Sequence, residues 1–373
     1  MSDAFLHVHA LILAGGAGTR FWPASRAVRP KQLLSLVGDE PLLCATVHRV
    51  LPLCHPEDTK EAWARVLIAT GSHLAEATQA LLPELPEENL LVEPLPRNTA
   101  PCIGWAAWRI AAKDPEAVVM VLPSDHHVSD VEGFRRVLQA AVRAATQGTL
   151  TTVGIRPTHP ETGFGYIETG EARGGGALEA LRFVEKPDRQ RAEGFVASGR
   201  FLWNAGMFFF RAKDMVAAIR AHLPALAEGL DAIREAEARG GEAGAEALAR
   251  VFPTLPSVSI DHGVMEHAAA LSVVPGDFGW SDVGSFRTAW DLGEKDPEGN
   301  HAPEGSVLID AHRNLVVDLR RKGGGKRVIA LVGVEDLCVV ETEDALLVVP
   351  RERAQDVKRV VDALKERGDG ELT

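Results

Sequence analysis

Short apolar runs alternating with amphipathic segments across the first 150 residues constrain the fold more than any other feature of this chain. Val8 to Leu13 is mostly apolar, as in a parallel strand covered on both faces, and the run stops at Gly15 and Gly16. Leu43, Val47, Val50 and Leu51 share one helical face, and 65–70 (RVLIAT) and 117–122 (AVVMVL) read as further short buried strands. Phe134, Val137, Leu138, Ala141 and Val142 recur at helical spacing. Strands alternating with helices in this way predict an α/β fold with a doubly wound, mostly parallel sheet.

The middle of the chain reads differently. GFGYIET, ALRFVEKP and FLWNAGMFFF are strand-like with fewer helices between them, which suggests an inserted or appended mixed sheet. Residues 228–250, rich in Ala, Glu and Gly, read as a solvent-exposed helical excursion. A Gly/Pro/Asp/Asn-rich stretch after residue 295 marks a boundary between a catalytic domain, 1–295, and a smaller C-terminal β module, 300–373. The module's segments SVLID, NLVVDL, RVIALVGV, LCVVET and ALLVVP suit a sandwich, a barrel or a small β-solenoid. A last helix places Val357, Val360, Val361 and Leu364 on one face.

A net charge of −12 over 373 residues disfavours nucleic acid and anionic membranes as partners. No apolar run approaches the ~20 residues of a membrane span. The start of the sequence lacks the basic flank of a signal peptide. Cys44, Cys54, Cys102 and Cys338 form no C-x-x-C pair and read as reduced thiols, so a cytoplasmic location is expected.

The segment LILAGGAGTRFWPASRAVRPKQ carries the most chemistry. Glycines directly after a buried strand allow a polyphosphate to approach the backbone, whose N–H groups form a concavity for anions. Arg20 and Lys31 add positive charge. Neither generic glycine pattern fits: G-x-G-x-x-G fails at Phe21, and the G-x-x-x-x-G-K-[ST] loop is absent.

GGAGTRFWPASR followed by PKQ resembles the signature of the sugar-1-phosphate nucleotidyltransferases, and PKQ with RNTAP (97–101) is similar to the GDP-mannose-forming branch. LPSDHH, TGFGYIE, FVEKP, WNAGMF, SIDHGVME and WSDVGSF follow in the family's order over nearly the first 290 residues. The resemblance implies transfer of the guanylyl group of GTP to mannose 1-phosphate, with Mg²⁺ held by Asp125 and Asp282. It implies nucleotide binding by Gly15, Gly16, Gly18, Thr19, Glu93, Asn98, Thr99 and Asp125, with Arg97 in the same base-recognition loop. The sugar pocket would comprise Gly165, Glu185 and Asn204, and Arg20, Lys31 and Lys186 would be the catalytic cations. It also implies a short left-handed β-helix at the C-terminus and a homodimer, and no isomerase half, so one activity is expected.

Several of these residues also suit plain structural roles. Asn98 and Thr99 can cap the helix that follows, and Asp261 has the form of an N-cap. The E-K pair of FVEKP suits a solvated turn. His126 and His127 lack the accompanying ligands of a zinc site, and His7 and His9 read as structural. Trp22, Trp203 and Trp280 each stand beside a motif and are expected to wall the site.

A sugar phosphate is already largely anionic at neutral pH, since its second pKa is about 6. No general base is required. The barrier is repulsion between two anions, so charge neutralisation and in-line positioning would be the catalytic devices. Three other readings are open: a silent regulatory subunit of the same fold, the same chemistry on another nucleotide or hexose, and a nicotinamide oxidoreductase. Arg20, Lys31, Asp125, Lys186 and Asp282 argue against the first, PKQ and RNTAP against the second, and Phe21 against the third.

Overall fold

The computed structural model describes residues 7–16, 18–320 and 328–373. The start of the sequence, used above to argue against a signal peptide, and Arg327, which opens RVIALVGV, lie outside these residues. Contacts group the chain into two units. Unit 1 is Met1–Gly15, Thr46–Ser124 and Val128–Trp280; unit 2 is Gly16–Ala45, Asp125–His127 and Ser281–Thr373. No helix among the described residues is long and apolar enough to cross a membrane.

Sixteen strands occur among these residues: β1 (Val8–Leu13), β2 (Val66–Gly71), β3 (Leu90–Glu93), β4 (Val118–Pro123), β5 (His127–Val128), β6 (Leu150–Ile155), β7 (Tyr166–Gly174), β8 (Ala177–Val184), β9 (Phe201–Arg211), β10 (Leu271–Gly276), β11 (Trp280–Ser281), β12 (Val307–Ile309), β13 (Leu315–Asp318), β14 (Ala330–Val332), β15 (Leu337–Glu341) and β16 (Leu346–Pro350). The helices are α1 (Leu42–Cys54), α2 (Thr59–Ala64), α3 (Ala75–Leu81), α4 (Thr99–Ala111), α5 (Val131–Ala145), α6 (Arg189–Ser198), α7 (Ala212–His222), α8 (Pro224–Ala238), α9 (Ala243–Val251), α10 (Ile260–Gly263), α11 (Phe286–Leu292) and α12 (Val357–Arg367).

Unit 1 is built on a nine-stranded sheet ordered β3-β2-β1-β4-β9-β6-β10-β8-β7. β1 is parallel to β2 and β4, as the apolar runs at 8–13, 65–70 and 117–122 predict, and β2 is also parallel to β3 and β6 to β10. β9 runs antiparallel to both β4 and β6 and joins the parallel groups. The middle of the chain is therefore part of the one sheet, because the consecutive apolar side chains of MFFF point to both faces of β9 and need cover on each: Phe208, Phe209 and Phe210 are all buried.

The 228–250 segment is helical, as the end of α8 and all of α9; α9 is largely exposed, burying only Ala247, but α8 is not a solvent-exposed excursion. Leu226, Leu230 and Ile233 recur at i, i+4, i+7 and are buried, which the high Ala and Glu content masks in the sequence. Trp105 and Trp108 of α4 bury their rings here and donate their indole N–H to Glu237 Oε1 (3.1 Å) and Asp231 Oδ1 (2.9 Å).

In unit 2 the C-terminal strands coil. Val307 pairs with Ala330 and Leu315 with Cys338, both parallel, so successive turns stack with the same offset along the chain. That is solenoid geometry, not a sandwich. Asparagines hold the turns together: Asn314, fully buried, donates from Nδ2 to Asn300 Oδ1 (3.0 Å) and Val334 O (3.2 Å), and its Oδ1 accepts from Leu337 N–H (3.0 Å). The core of this unit joins Phe21, Trp22 and Leu34 to Phe286, Val340, Val357 and Val361. α12 thus buries the predicted face.

Replacing Asn314 by Ala leaves the Val334 carbonyl and the Leu337 N–H without their partner in the interior of the coil. We expect a loss of roughly 2–4 kcal/mol, two or more orphaned polar groups at ~1–3 kcal/mol each with partial relaxation, read as a lower urea midpoint.

Candidate functional site

In unit 2, β1's continuation becomes a tight loop. Gly18 has φ 59°, and a Cβ there would stand 2.7 Å from Lys31 N and 2.8 Å from Lys31 Cβ, so both conformation and space demand glycine. Ser25 Oγ donates to Gly18 O (2.6 Å) and Gln32 Nε2 to Gly16 O (3.1 Å), which fixes the loop's shape. Thr19–Phe21 and Lys31–Leu33 form single 3-10 turns.

This loop, with Asp125, His126 and residues 282–284, lines a cavity of about 330 Å³. Lys31, almost fully buried, donates from Nζ to Asp125 Oδ2 (3.0 Å) and to the Asp282 carbonyl (2.5 Å). Burial raises the Asp125 pKa, but the Lys31 ammonium and His126 outweigh it and hold the carboxyl below its ordinary value. Asp125 is therefore an anion at neutral pH. The Asp282 carboxylate lines the same cavity, where Gly284 leaves it room: a Cβ on Gly284 would come within 2.9 Å of Asp282 Oδ2. Thr19 and Arg20 line it as well. Polyphosphate and a hard cation are what such a mixture of cations, carboxylates and open backbone can hold together.

Unit 1 contains the residues predicted for the sugar. A Cβ on Gly165 would stand 2.6 Å from Glu185 Oε2 and 3.3 Å from Asn204 Cβ, so the three residues meet. Lys186 Nζ is 2.5 Å from Glu185 Oε1; its side chain is 63% exposed and the glutamate's 12%, so the lysine is the partner free to reach a ligand. Asn204 is more committed than the sequence suggests. Its Oδ1 accepts from Thr152 Oγ1 (3.0 Å) and Gly206 N–H (3.1 Å), and Nδ2 donates to Asp261 Oδ1 (3.0 Å). One Nδ2 hydrogen is left to offer.

Asp261 belongs to this cluster, and the N-cap reading of it is corrected. Ser259 caps α10, accepting from His262 N–H (3.2 Å). Burial, and then the Glu185 charge, push the Asp261 carboxyl up to about 6.

The predicted base loop is also in unit 1. Asn98 caps α4, its side chain accepting from Thr99 N–H (2.9 Å), while Thr99 Oγ1 accepts from Ile260 N–H (2.9 Å). Arg97 turns inward to the Pro253 carbonyl. Glu93 ends β3 almost fully buried, its Oε1 without a hydrogen-bond partner and its Oε2 3.9 Å from where a Gly15 Cβ would be. Burial pushes its pKa up to about 7, against a smaller opposite effect of the Cys102 thiol. A buried carboxylate oxygen without a partner is an acceptor waiting for a donor.

Asn98, Lys186 and Val283 all have positive φ, at 64°, 44° and 45°. Such backbone is costly for non-glycine residues and concentrates at functional sites. Each of the three lies in, or next to, a residue singled out from sequence.

Residues 9–299 match the family model described as nucleotidyl transferase, and 304–364 that of the MannoseP isomerase/GMP-like β-helix domain. This chain belongs to the nucleotidyl transferase family. The xanthan biosynthesis protein XanB of Xanthomonas campestris pv. campestris (strain B100) is 42% identical over 100% of this chain and 76% of its own length. A mannose-1-phosphate guanylyltransferase of Klebsiella pneumoniae is 37% identical over 95% of this chain and 74% of its own. A crystal structure described as mannose-1-phosphate geranyltransferase from Thermus thermophilus superposes with a TM-score of 0.82 at 36% identity, covering 96% of this chain and 99% of the other.

In this nucleotidyl transferase the expected tryptophan walls give way to core packing. Trp22 is buried and donates its indole N–H to Leu372 O (2.7 Å), because a buried indole must find an acceptor. Trp203 and Trp280 pack on Phe164. His9 is half-buried and held neutral, its pKa lowered to about 4 by desolvation and then by Arg65, in keeping with a structural role. All four cysteines are buried and none is in a disulfide. Sequence reasoning missed Lys358, which lines the unit 2 cavity and whose only signal was its place in the first turn of a predicted helix.

Glu93 gives a pH test. Its folded pKa, about 7, lies above the ordinary 4.5, so the folded state binds the extra proton between those values. Its stability contribution is present below pH ~4.5 and is lost as pH rises through about 7. Glu93→Gln should gain up to roughly 3 kcal/mol over the wild type at pH 8 and nothing at pH 4, measured as the difference in thermal midpoint at the two pH values.

Proposed function

We propose that this chain transfers the guanylyl group of GTP to α-D-mannose 1-phosphate, releasing pyrophosphate and giving GDP-mannose. The observation that carries this reading is the unit 2 cavity, lined by Arg20, Lys31, Asp125 and Asp282 on a glycine loop. Guanine and mannose are supported by the relatives named mannose-1-phosphate guanylyltransferase, 37–38% identical over 95–97% of this chain.

A phosphate oxygen of the sugar phosphate attacks the α-phosphorus of GTP; the new P–O bond forms as the bond to the β-phosphate oxygen breaks, and pyrophosphate leaves with that electron pair. The nucleophile is already anionic near pH 7, so the side chains are needed to cancel charge and align the reactants. Arg20 and Lys31 would bind the triphosphate and then the leaving pyrophosphate. Lys186, exposed beside Glu185, would receive the sugar phosphate, with Glu185, Gly165 and the free Nδ2 hydrogen of Asn204 meeting the hydroxyls. Glu93, as the carboxylate, would accept from the N–H groups of guanine that Asn98 and Thr99 flank.

Nucleotidyl transferases work with a divalent cation, and we assign Mg²⁺ here. Asp125 and Asp282 fit it: both are hard oxygen donors on one open cavity, and Mg²⁺ commonly takes one or two carboxylates with phosphate oxygens and water completing the shell. No group of three or more His, Cys, Asp or Glu able to hold a metal occurs among the described residues, so the other ligands would come from substrate and solvent. Bound there, the ion would withdraw charge from the α-phosphate.

The family matches stop at 299 and begin again at 304, which supports the sequence division at 295–300. A homodimer through the β-helix is supported by Val307, Ile309 and Val332, which are 44–62% exposed on β12 and β14. Val332→Glu should then shift the chain to monomer in light scattering, whereas an unchanged mass would remove this face from consideration. Four buried thiols with no disulfide suit a reducing cytoplasm.

Pyrophosphate release measured over all four NTPs and several hexose 1-phosphates tests the activity. The expected result is turnover with GTP and mannose 1-phosphate well above every other pair; a different preferred pair, or none, contradicts it. In the same assay Asp282→Ala and Asp125→Asn, which keeps an oxygen acceptor for Lys31 Nζ, should each lose at least ~10³-fold in kcat, with circular dichroism unchanged.

A further inference from the structure

The first turn of α12 holds no acidic residue; Lys358 and Arg359 follow Val357 directly. Asp356 at the N-cap makes no side-chain cap bond and positive side chains in the first turn oppose the helix dipole, so this placement adds little to the helix's stability. No carboxylate pairs with Lys358 among the described residues. Its side chain instead lines the cavity of Gly18, Arg20, Lys31, Asp125 and Asp282.

The charge balance of that cavity turns on it. Arg20 and Lys31 are matched by Asp125 and Asp282, and Lys31 is already engaged with Asp125 and the Asp282 carbonyl. Among the described residues, Arg20 and Lys358 are the arginine and lysine side chains of the cavity left for an incoming anion. The helix is held in register with the loop by more than packing. The Trp22 indole donates to Leu372 O (2.7 Å) and Ala27 N–H to Thr373 O (3.1 Å), while Phe21 and Trp22 share a core with Val357 and Val361.

We propose that Lys358 binds polyphosphate: α12 supplies an ammonium to the β- and γ-phosphates of the nucleotide and to the pyrophosphate that departs. The C-terminal module is then part of the nucleotide site as well as a structural support. This rests on the reading of the cavity as a triphosphate site, and the test separates the two. Inorganic pyrophosphate with Mg²⁺, which carries neither base nor sugar, is titrated calorimetrically into the wild type, Lys358→Ala, Lys358→Arg and Lys365→Ala. Lys365 lies on the same helix and outside the cavity lining.

Loss of one charge-assisted contact predicts about 10-fold weaker binding for Lys358→Ala, near-wild-type binding for the other two, and an unchanged or higher Tm. The KM for GTP should rise about as much, with the KM for the sugar phosphate unchanged. Pyrophosphate affinity within twofold of wild type in Lys358→Ala, or an equal loss in Lys365→Ala, overturns the proposal. If binding depends on Lys358 while the chain turns over a different nucleotide or sugar, this proposal stands and the substrate assignment falls.

Discussion

One buried ammonium organises the cavity of unit 2. Lys31 reaches Asp125, 94 residues away in sequence, and the carbonyl of Asp282, 251 residues away. A lysine this buried is stable as a cation only if acceptors replace its lost hydration, so the three segments must be brought together for the unit to fold at all. The same contact holds Asp125 as an anion and aims it into the space beside Asp282. Folding energy and site geometry thus depend on one set of atoms.

The unusual residue choices of the chain fall at the candidate sites of each unit. Gly18 cannot be anything larger, because the Lys31 backbone occupies the place of its Cβ. Gly165 gives up its side chain to Glu185 and Asn204 in the same way. Val283, β-branched and at positive φ, directly follows Asp282. Elsewhere the structure is conventional: apolar strands in the sheet of unit 1, and asparagine-linked coils in unit 2.

Much of this was legible in the amino-acid sequence. The apolar runs at 8–13, 65–70 and 117–122 have one reading as strands, and the motif order placed the loop, Asp125 and Asp282 on the same chemistry. What escaped had a physical cause in each case. α8 hides an apolar face of Leu226, Leu230 and Ile233 among alanines and glutamates, so composition suggested exposure where packing exists. Asp261 follows a serine that caps the same turn, and only the fold reveals that its carboxylate meets Asn204 instead. Lys358 looks like any solvated helix lysine until the cavity opposite it is known. The strained backbone at Asn98, Lys186 and Val283 has no signature in residue type.

A crystal structure with Mg²⁺, mannose 1-phosphate and a non-hydrolysable GTP analogue tests the central claim most directly. We expect the triphosphate against Gly18, Arg20, Lys31 and Lys358, with the ion on Asp125 and Asp282. Phosphates bound away from Lys31, or an ion coordinated by neither aspartate, would contradict it.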